Sequence, residues 1–365
     1  MSSMIPVAIL AATGSVGQRF VQLLDQHSWF KVVALTASDR SEGRSYREAC
    51  RWILQDPMPA WAGEMTVLPT NVEAVLSATK PSIVFSALPT DIASDVEPQF
   101  AKAGMMVCSN ASAYRQEADV PILLPEVNPE HAAIIEYQRK NRNWSGGITT
   151  NPNCTSTGLT VALRALQNAF GLRCAFVVSL QALSGAGYPG VPSIDILDNT
   201  IPYIGGEETK VEWEPRKMLG TLENNAIELA DFAISAHTNR VAVSDGHLVC
   251  LSVELGERAN IKDVTEVLRS YQCPEISKSL PSTPDPIILV RDEDNRPQQR
   301  LDRMTGKGMT TVVGRLRPDP LFDYKMVILS HNTIRGAAGG SIYNAELLVK
   351  AGIVLNYKSE SYQQE

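Results

Sequence analysis

Long hydrophobic runs are missing from this 365-residue chain. The apolar run in the opening MSSMIPVAIL falls well short of the ~20 residues that span a bilayer. The same opening has no basic segment of the kind that begins a secretory leader. Cysteine is sparse and scattered, six in all, with no C-x-x-C pair and no Cys/His zinc spacing, so no metal site is expected. Scattered thiols without a leader fit a reducing, cytoplasmic setting. Positive charge is in deficit, 33 Lys and Arg against 40 Asp and Glu, and the net charge of −7 argues against nucleic acid or an anionic membrane as partner. Internal repeats, heptad arrays and low-complexity tracts are absent as well. What remains is a chain that is 44% apolar, enough for a large core, with a length that suggests ~2 to 3 domains.

The most informative stretch is ITTNPNCTSTGLTVALRALQNAF, Ile148 to Phe170. The β-branched Ile148 to Thr150 reads as the end of a strand, and Pro152 cannot continue a ladder. Thr155 stands where a helix N-cap would sit, and Leu159, Leu163, Leu166 and Phe170 recur at helical spacing. Cys154 therefore falls at a strand-to-helix junction. The helix N-terminus is expected to depress its pKa and favour the thiolate that a nucleophile needs. The other five cysteines sit in apolar strands, a helix or a loop and read as small packing residues.

Ile5 to about Asn110 reads as alternating strands and helices, the pattern of a parallel, doubly wound sheet. Ile5 to Leu10 is a continuous apolar run that leads into AATGSVGQRFVQLL. Small residues between a strand and a helix let backbone approach a phosphate, and Ala11, Gly14 and Gly17 take the fingerprint positions. The next strand, Lys31 to Ala37, is followed by Ser38-Asp39-Arg40-Ser41. Ser38, Arg40 and Ser41 suit the 2′-phosphate of NADP, with Arg44 in reserve, whereas Asp39 suits NAD. Ile83 to Ser86 ends in Ala87-Leu88-Pro89, a turn small enough to pass beneath a cofactor. Residues 119–143 read as a connection to a second domain.

From about Asn151 to Ser330 the pattern changes. Cys174 to Leu180 is followed by Gln181 and the glycine-rich SGAGYPG. RVAV and HLVCLSVEL, separated by Ser244-Asp245-Gly246, read as a hairpin, and alternation along the second run predicts one buried face. An antiparallel or mixed sheet with helices on one side follows, its broad face suited to subunit contact. Simple alternation across the hairpin puts Arg240 and His247 on opposite faces unless Gly246 forms a bulge. His27 and His131 read as surface residues on helices, and His237 as a rival to His247. Gly336 to Gly340 open the last helix and suit either close packing or a flat ligand.

Eight segments occur in one order: AATGSVGQRF, SALP, SNASAYR, NPNCTSTGL, LSGAGYPG, IPYIGGEETK, ISAHTNRVAVSDGH and SHNTIRGAAGG. In these the chain resembles the aspartate-β-semialdehyde dehydrogenases of the archaeal and fungal type over nearly its full length. The resemblance implies a Rossmann-type domain over 1–150, completed by a C-terminal helix over 331–365. A catalytic and dimerisation domain of the glyceraldehyde-phosphate-dehydrogenase-like type would occupy 151–330. The implied reaction is reversible, NADP-dependent reductive dephosphorylation of aspartyl phosphate to aspartate semialdehyde, on the route to lysine, methionine and threonine. A homodimer or homotetramer is implied too.

Site roles carry over on matching positions. Cys154 would be the nucleophile, His247 the acid/base that takes the thiol or hemiacetal proton, and Gln181 would orient the acyl-enzyme. Arg240 would hold the substrate carboxylate and Glu207 its ammonium, with Glu208 as the alternative. Lys210 and Arg115 would hold phosphate, assisted by Asn110 or Asn153. The cofactor would lie along Thr13, Gly14, Ser15, Val16 and Gly17, then Ser38, Arg40 and Ser41. It would continue past Ser86, Ala87, Leu88 and Pro89 to Ser184, Gly185 and Asn332. Two other readings share these motifs: a malonyl-CoA reductase, which would carry another residue in place of Asn153, and a catalytically silent NADP-binding redox sensor.

Overall fold

The computed structural model describes residues 4–354, so the end of the expected C-terminal helix, 355–365, lies outside it. Six strands build the first sheet: β1 (Ile5–Leu10), β2 (Phe30–Ala37), β3 (Val67–Pro69), β4 (Ile83–Ser86), β5 (Met106–Ser109) and β6 (Gly147–Thr150). They run in the order β3-β2-β1-β4-β5-β6 with every neighbour parallel. Burial on both faces explains their continuous apolar runs. Leu10 pairs with Ser86, Ser86 with Ser109, and Ser109 with Thr150. Four strands thus end level, and the turns that follow them open on one edge, where the strand order reverses about β1.

The segment 119–143 belongs to this sheet and is not a link to the second one. Ile122 bridges Thr150, and the helix Ile134–Arg142 ends on Asn143 in the left-handed region and feeds β6. The apolar residues read there as linker are its buried underside. His131 is buried within it, between Asn128 and the carbonyl of Gly220, and so is no surface residue. His27 lies in a loop, its side chain largely covered and 3.0 Å from Glu346.

The second sheet contains β7 (Leu172–Gln181), β10 (Ala233–Arg240), β11 (His247–Leu255), β12 (Ile288–Val290), β13 (Thr311–Pro318) and β14 (Tyr324–Ser330). A separate short pair, β8 (Thr221–Glu223) and β9 (Ala226–Glu228), precedes β10. The large sheet is mixed, ordered β10-β7-β11-β14-β13-β12. Leu159, Leu163 and Leu166 of the helix Cys154–Phe170 pack on its inner face with Val177, Leu251 and Ile328. Its outer face carries half-buried Phe176 and Val178 and exposed Cys250, so two strand cysteines read as core (Cys174 and Cys250) point outward. The helix Gly339–Lys350 returns to pack on β4 and β5.

The expected hairpin does not form. β7 lies between β10 and β11, parallel to the first and antiparallel to the second. Of RVAV only Arg240 lies in a strand, as the last residue of β10; residues 241–246 carry the chain over the end of β7. Val241 N–H donates to the Gln181 carbonyl at 3.0 Å, and Leu183 N–H to that of Val243 at 2.7 Å. Local alternation cannot reveal a third strand inserted between two neighbours in sequence.

Candidate active site

The helix Cys154–Phe170 begins two residues earlier than the spacing suggests. Its N-cap is Asn153, not Thr155: the Asn153 Oδ1 accepts from the N–H groups of Thr155 and Ser156, at 2.9 and 3.3 Å. Cys154 is therefore the first helical residue. Gly336 covers it, inside a wide turn closed by Gly336 N–H to the His331 carbonyl. A Cβ on Gly336 would lie 2.8 Å from the Cys154 Cβ, so close packing explains this glycine. The expected depression of the thiol pKa is reversed. Burial and the Glu207 carboxylate push it up to about 12, against the pull of the Arg115 and Arg240 guanidiniums. A helix terminus does not offset the desolvation of this half-buried residue together with the Glu207 charge.

Register, not a bulge, brings the remaining groups to one face. Arg240 pairs with Gln181 across β10 and β7, Leu248 with Leu180 across β11 and β7, and His247 with Ser330 across β11 and β14. Arg240, Gln181, His247 and Ser330 thus form a row across four strands, and residues level across a sheet point the same way. Gly246, at φ +96°, makes the turn into β11. Arg240 Nη1 donates to the Ala182 carbonyl at 2.7 Å, while the Ala182 N–H donates to His247 Nδ1 at 3.1 Å. With Nδ1 accepting, the neutral ring carries its proton on Nε2. That Nε2 and the Gln181 Oε1 are buried with no partner among the described residues, as groups awaiting a ligand would be. Burial, then the Arg240 charge, holds His247 down to about 3. A Cβ on Gly185 would sit 2.8 Å from Arg240 Nη1 and 3.0 Å from His247 Nε2, which places that glycine against the row. His237 faces outward against Phe176 and takes no part.

The helix Glu207–Met218 brings the acidic side of the site. Glu207 is buried and accepts from Asn153 Nδ2 at 2.7 Å and Lys210 Nζ at 3.4 Å. Glu208 instead accepts from the Thr238 N–H on β10, which separates the two glutamates. Lys210 keeps a third of its side chain exposed. Arg115 is more committed than its sequence suggests: it donates to Asn151 O at 3.0 Å, Asn110 O at 2.9 Å and Glu214 Oε1 at 2.8 Å. Asn110 donates its amide to the Ser86 carbonyl and accepts from Ser341. Glu214 is a site residue the sequence reading missed; only its helical spacing from Glu207 signalled it.

The cofactor candidates line the level edge of the first sheet. The helix Ser15–Leu23 starts at Gly14 without a side-chain cap, which leaves backbone N–H groups for phosphate oxygens. A Cβ on Gly17 would stand 2.3 Å from the Ala11 carbonyl, and Ala11 adopts φ 55°, the left-handed turn a glycine usually takes. The Thr13 carbonyl accepts from Gln18, and Val16 is half-buried beside it. Ser38 and Arg40 are exposed beyond β2, Ser41 N–H bonds the Ser38 carbonyl, and Arg40 makes no ion pair among the described residues. Ala87 and Leu88 follow β4, and Pro89 caps the helix Thr90–Lys102. Asn332 donates to Ser184 Oγ and accepts from Gly246 N–H, each at 2.8 Å. A cleft of about 700 Å³ runs between Ser15 and Arg19 on one side and Ser184, Asp245 and His331 on the other. Arg19, Asp245, Arg303 and His331 escaped sequence reading, although Arg19 lies one turn from Ser15. Gly14, Gly17 and Arg40 fit a dinucleotide by an uncapped helix start, a close glycine and a cation with no ion pair among the described residues.

No described helix is long and apolar enough to cross a membrane. Residues 6–135 match the family model of the semialdehyde dehydrogenase NAD-binding domain, and residues 163–335 that of the semialdehyde dehydrogenase dimerisation domain, which indicates a homo-oligomer. The chain is 49% identical to the aspartate-semialdehyde dehydrogenase of Archaeoglobus fulgidus, over 95% of this chain and 99% of that one. It is 46% identical to that of Schizosaccharomyces pombe, over 95% and 99%. The fold matches the crystal structure of the Candida albicans aspartate-semialdehyde dehydrogenase with NADP at a TM-score of 0.87 and 41% identity, over 97% of this chain and 100% of that chain. The chain belongs to the semialdehyde dehydrogenase family, on the side of its archaeal and fungal aspartate-semialdehyde dehydrogenases.

Proposed function

We propose that the protein catalyses the NADP-dependent, reversible reductive dephosphorylation of aspartyl phosphate to aspartate semialdehyde, a step toward lysine, methionine and threonine. The observation that carries the chemistry is the single row of Arg240, Gln181 and His247 facing the helix that starts at Cys154. In the oxidative direction the Cys154 thiol adds across the aldehyde C=O, its sulfur bonding the carbon and its proton passing to the oxygen. The resulting tetrahedral adduct, without which the aldehyde hydrogen leaves poorly, releases that proton to solvent as the hydrogen departs. NADP, which Gly14 to Gly17, Ser38 and Arg40 would hold, would supply the hydride acceptor for that hydrogen. Phosphate then attacks the thioester carbon and displaces the sulfur.

The chain's own groups divide this work. Arg240 offers the substrate carboxylate a planar fork, and Glu207 receives the ammonium. Lys210 and the remaining N–H groups of Arg115 meet phosphate. His247, with its proton on Nε2, donates to the adduct oxygen, a role closer to an oxyanion donor than to a base for the thiol. Exposed Ser38 and unpaired Arg40 support NADP over NAD, Asp39 notwithstanding. The 1–150 and 331–354 segments then hold cofactor, and 151–330 carries catalysis and the dimer face, for which the half-apolar outer face of the second sheet is suited.

Asn153 bears on the alternative of a malonyl-CoA reductase, since this asparagine is built in as both N-cap and Glu207 donor. Purified protein with aspartate semialdehyde and NADP should form NADPH only when phosphate is present. Dependence on CoA would indicate the reductase, and no turnover the silent sensor. Cys154→Ser should bind NADP unchanged and lose turnover; normal turnover by that variant would refute the assignment.

A further inference from the structure

Helix Glu207–Met218 presents a second carboxylate to the site, two turns beyond Glu207. Glu214 is 1% exposed, and its two oxygens serve different motifs. Oε1 accepts from Arg115 Nη1 at 2.8 Å; Oε2 accepts from the backbone N–H of Asn153 at 2.5 Å. Asn153 in turn caps the nucleophile helix and donates to Glu207. Arg115 holds the Asn151 and Asn110 carbonyls. One buried carboxylate thus touches both the residue before the nucleophile and the guanidinium assigned to phosphate.

Such a group is costly to bury and is retained only where both oxygens are satisfied by strong, charge-assisted bonds. Glutamine cannot replace it: one oxygen would remain, and the NH2 would face a donor, either the Asn153 N–H or the Arg115 fork. We propose that Glu214 is a positioning residue for the reaction, holding the turn that carries Cys154 and the arginine that meets phosphate in fixed register. Thioester phosphorolysis needs the sulfur-bound carbon and the attacking oxygen aligned, and a misplacement near 1 Å can cost ~100-fold in rate. The proposal rests on the phosphate role given above to Arg115.

The test compares wild type, Glu214→Gln, Glu214→Asp and Arg115→Lys in the full chain. Readouts are thermal unfolding, NADP affinity, kcat, the KM for inorganic phosphate, and the pH profile of Cys154 alkylation by iodoacetamide. Glu214→Gln should fold and bind NADP, lose ~10-fold or more in kcat, raise the phosphate KM by ~10-fold, and shift the alkylation profile. Arg115→Lys should raise the phosphate KM while leaving the alkylation profile near wild type. A Glu214→Gln protein that melts lower yet keeps kcat, phosphate KM and alkylation profile within ~2-fold of wild type would reduce Glu214 to a structural group. If that variant does not fold, Glu214→Asp decides. Its shorter arm reaches only one partner, and wild-type kinetics from it would overturn the proposal. Should wild type prove phosphate-independent, the reading of Arg115 fails on its own, and the alkylation profile still reports whether Glu214 holds the nucleophile turn.

Discussion

At the scale of single residues, the covalent chemistry proposed for Cys154 starts from a protonated thiol. Burial and Glu207 hold the Cys154 pKa at about 12, so the sulfur of the unliganded enzyme is neutral through physiological pH. Alkylation by iodoacetamide should therefore keep rising past pH ~10, where an ordinary thiol has levelled off. Adding NADP should move the rise to lower pH, because a cationic ring beside the sulfur favours the thiolate. A plateau below pH 8 without cofactor would contradict this. His247, neutral down to about 3, should contribute no ascending limb near pH 6 to ~7 to kcat/KM, where an ordinary histidine titrates. A limb there that disappears in His247→Asn would restore the base role.

At the scale of elements, the site depends on two close approaches that helix or strand propensity does not report. The turn at Ile334–Ala338 lies on the start of the helix Cys154–Phe170, and β7 is threaded between β10 and β11. Gly336→Ala puts a methyl 2.8 Å from the Cys154 Cβ and 2.9 Å from its Cα. Backbone cannot yield as a flexible side chain does, so the variant should lose ~1 to 3 kcal/mol of stability and most of its turnover. Denaturant unfolding alongside steady-state kinetics checks this; full activity in Gly336→Ala would mean the two segments separate freely.

For the whole molecule, acid should be destabilising. Burial holds three histidines below their ordinary 6.5: His247 at about 3, His131 and His331 at about 4. The unfolded chain protonates all three near 6.5 and the folded chain does not, so stability is lost as pH falls below that value. Glu97 works the other way, because burial raises it to about 7 and the folded chain takes a proton that the unfolded chain refuses down to 4.5. Burial raises Glu214 as well, so three groups oppose two and still outweigh them, at up to ~1.4 kcal/mol per pH unit for each net proton. Melting temperature should peak near neutrality and fall between pH 6 and 4; a rise over that interval would contradict the sign. At the same scale, Arg40→Glu should weaken NADP binding by ~10-fold or more while sparing NAD, through lost attraction to a 2′-phosphate. Equal loss for both cofactors would argue against the NADP assignment.

Much of this was legible without coordinates. Strands buried on both faces announce themselves as unbroken apolar runs, and the small residues after β1 mark a phosphate turn, because both signals are local. Cys154 stood out for the same reason, at a bend followed by a helical stripe. Tertiary structure alone decided that Arg240 and His247 share a face, since an inserted strand is invisible to alternation. It decided the charge of the thiol, because desolvation depends on what covers the sulfur. It also recruited Glu214, whose partners at Arg115 and Asn153 lie 99 and 61 residues away in the chain.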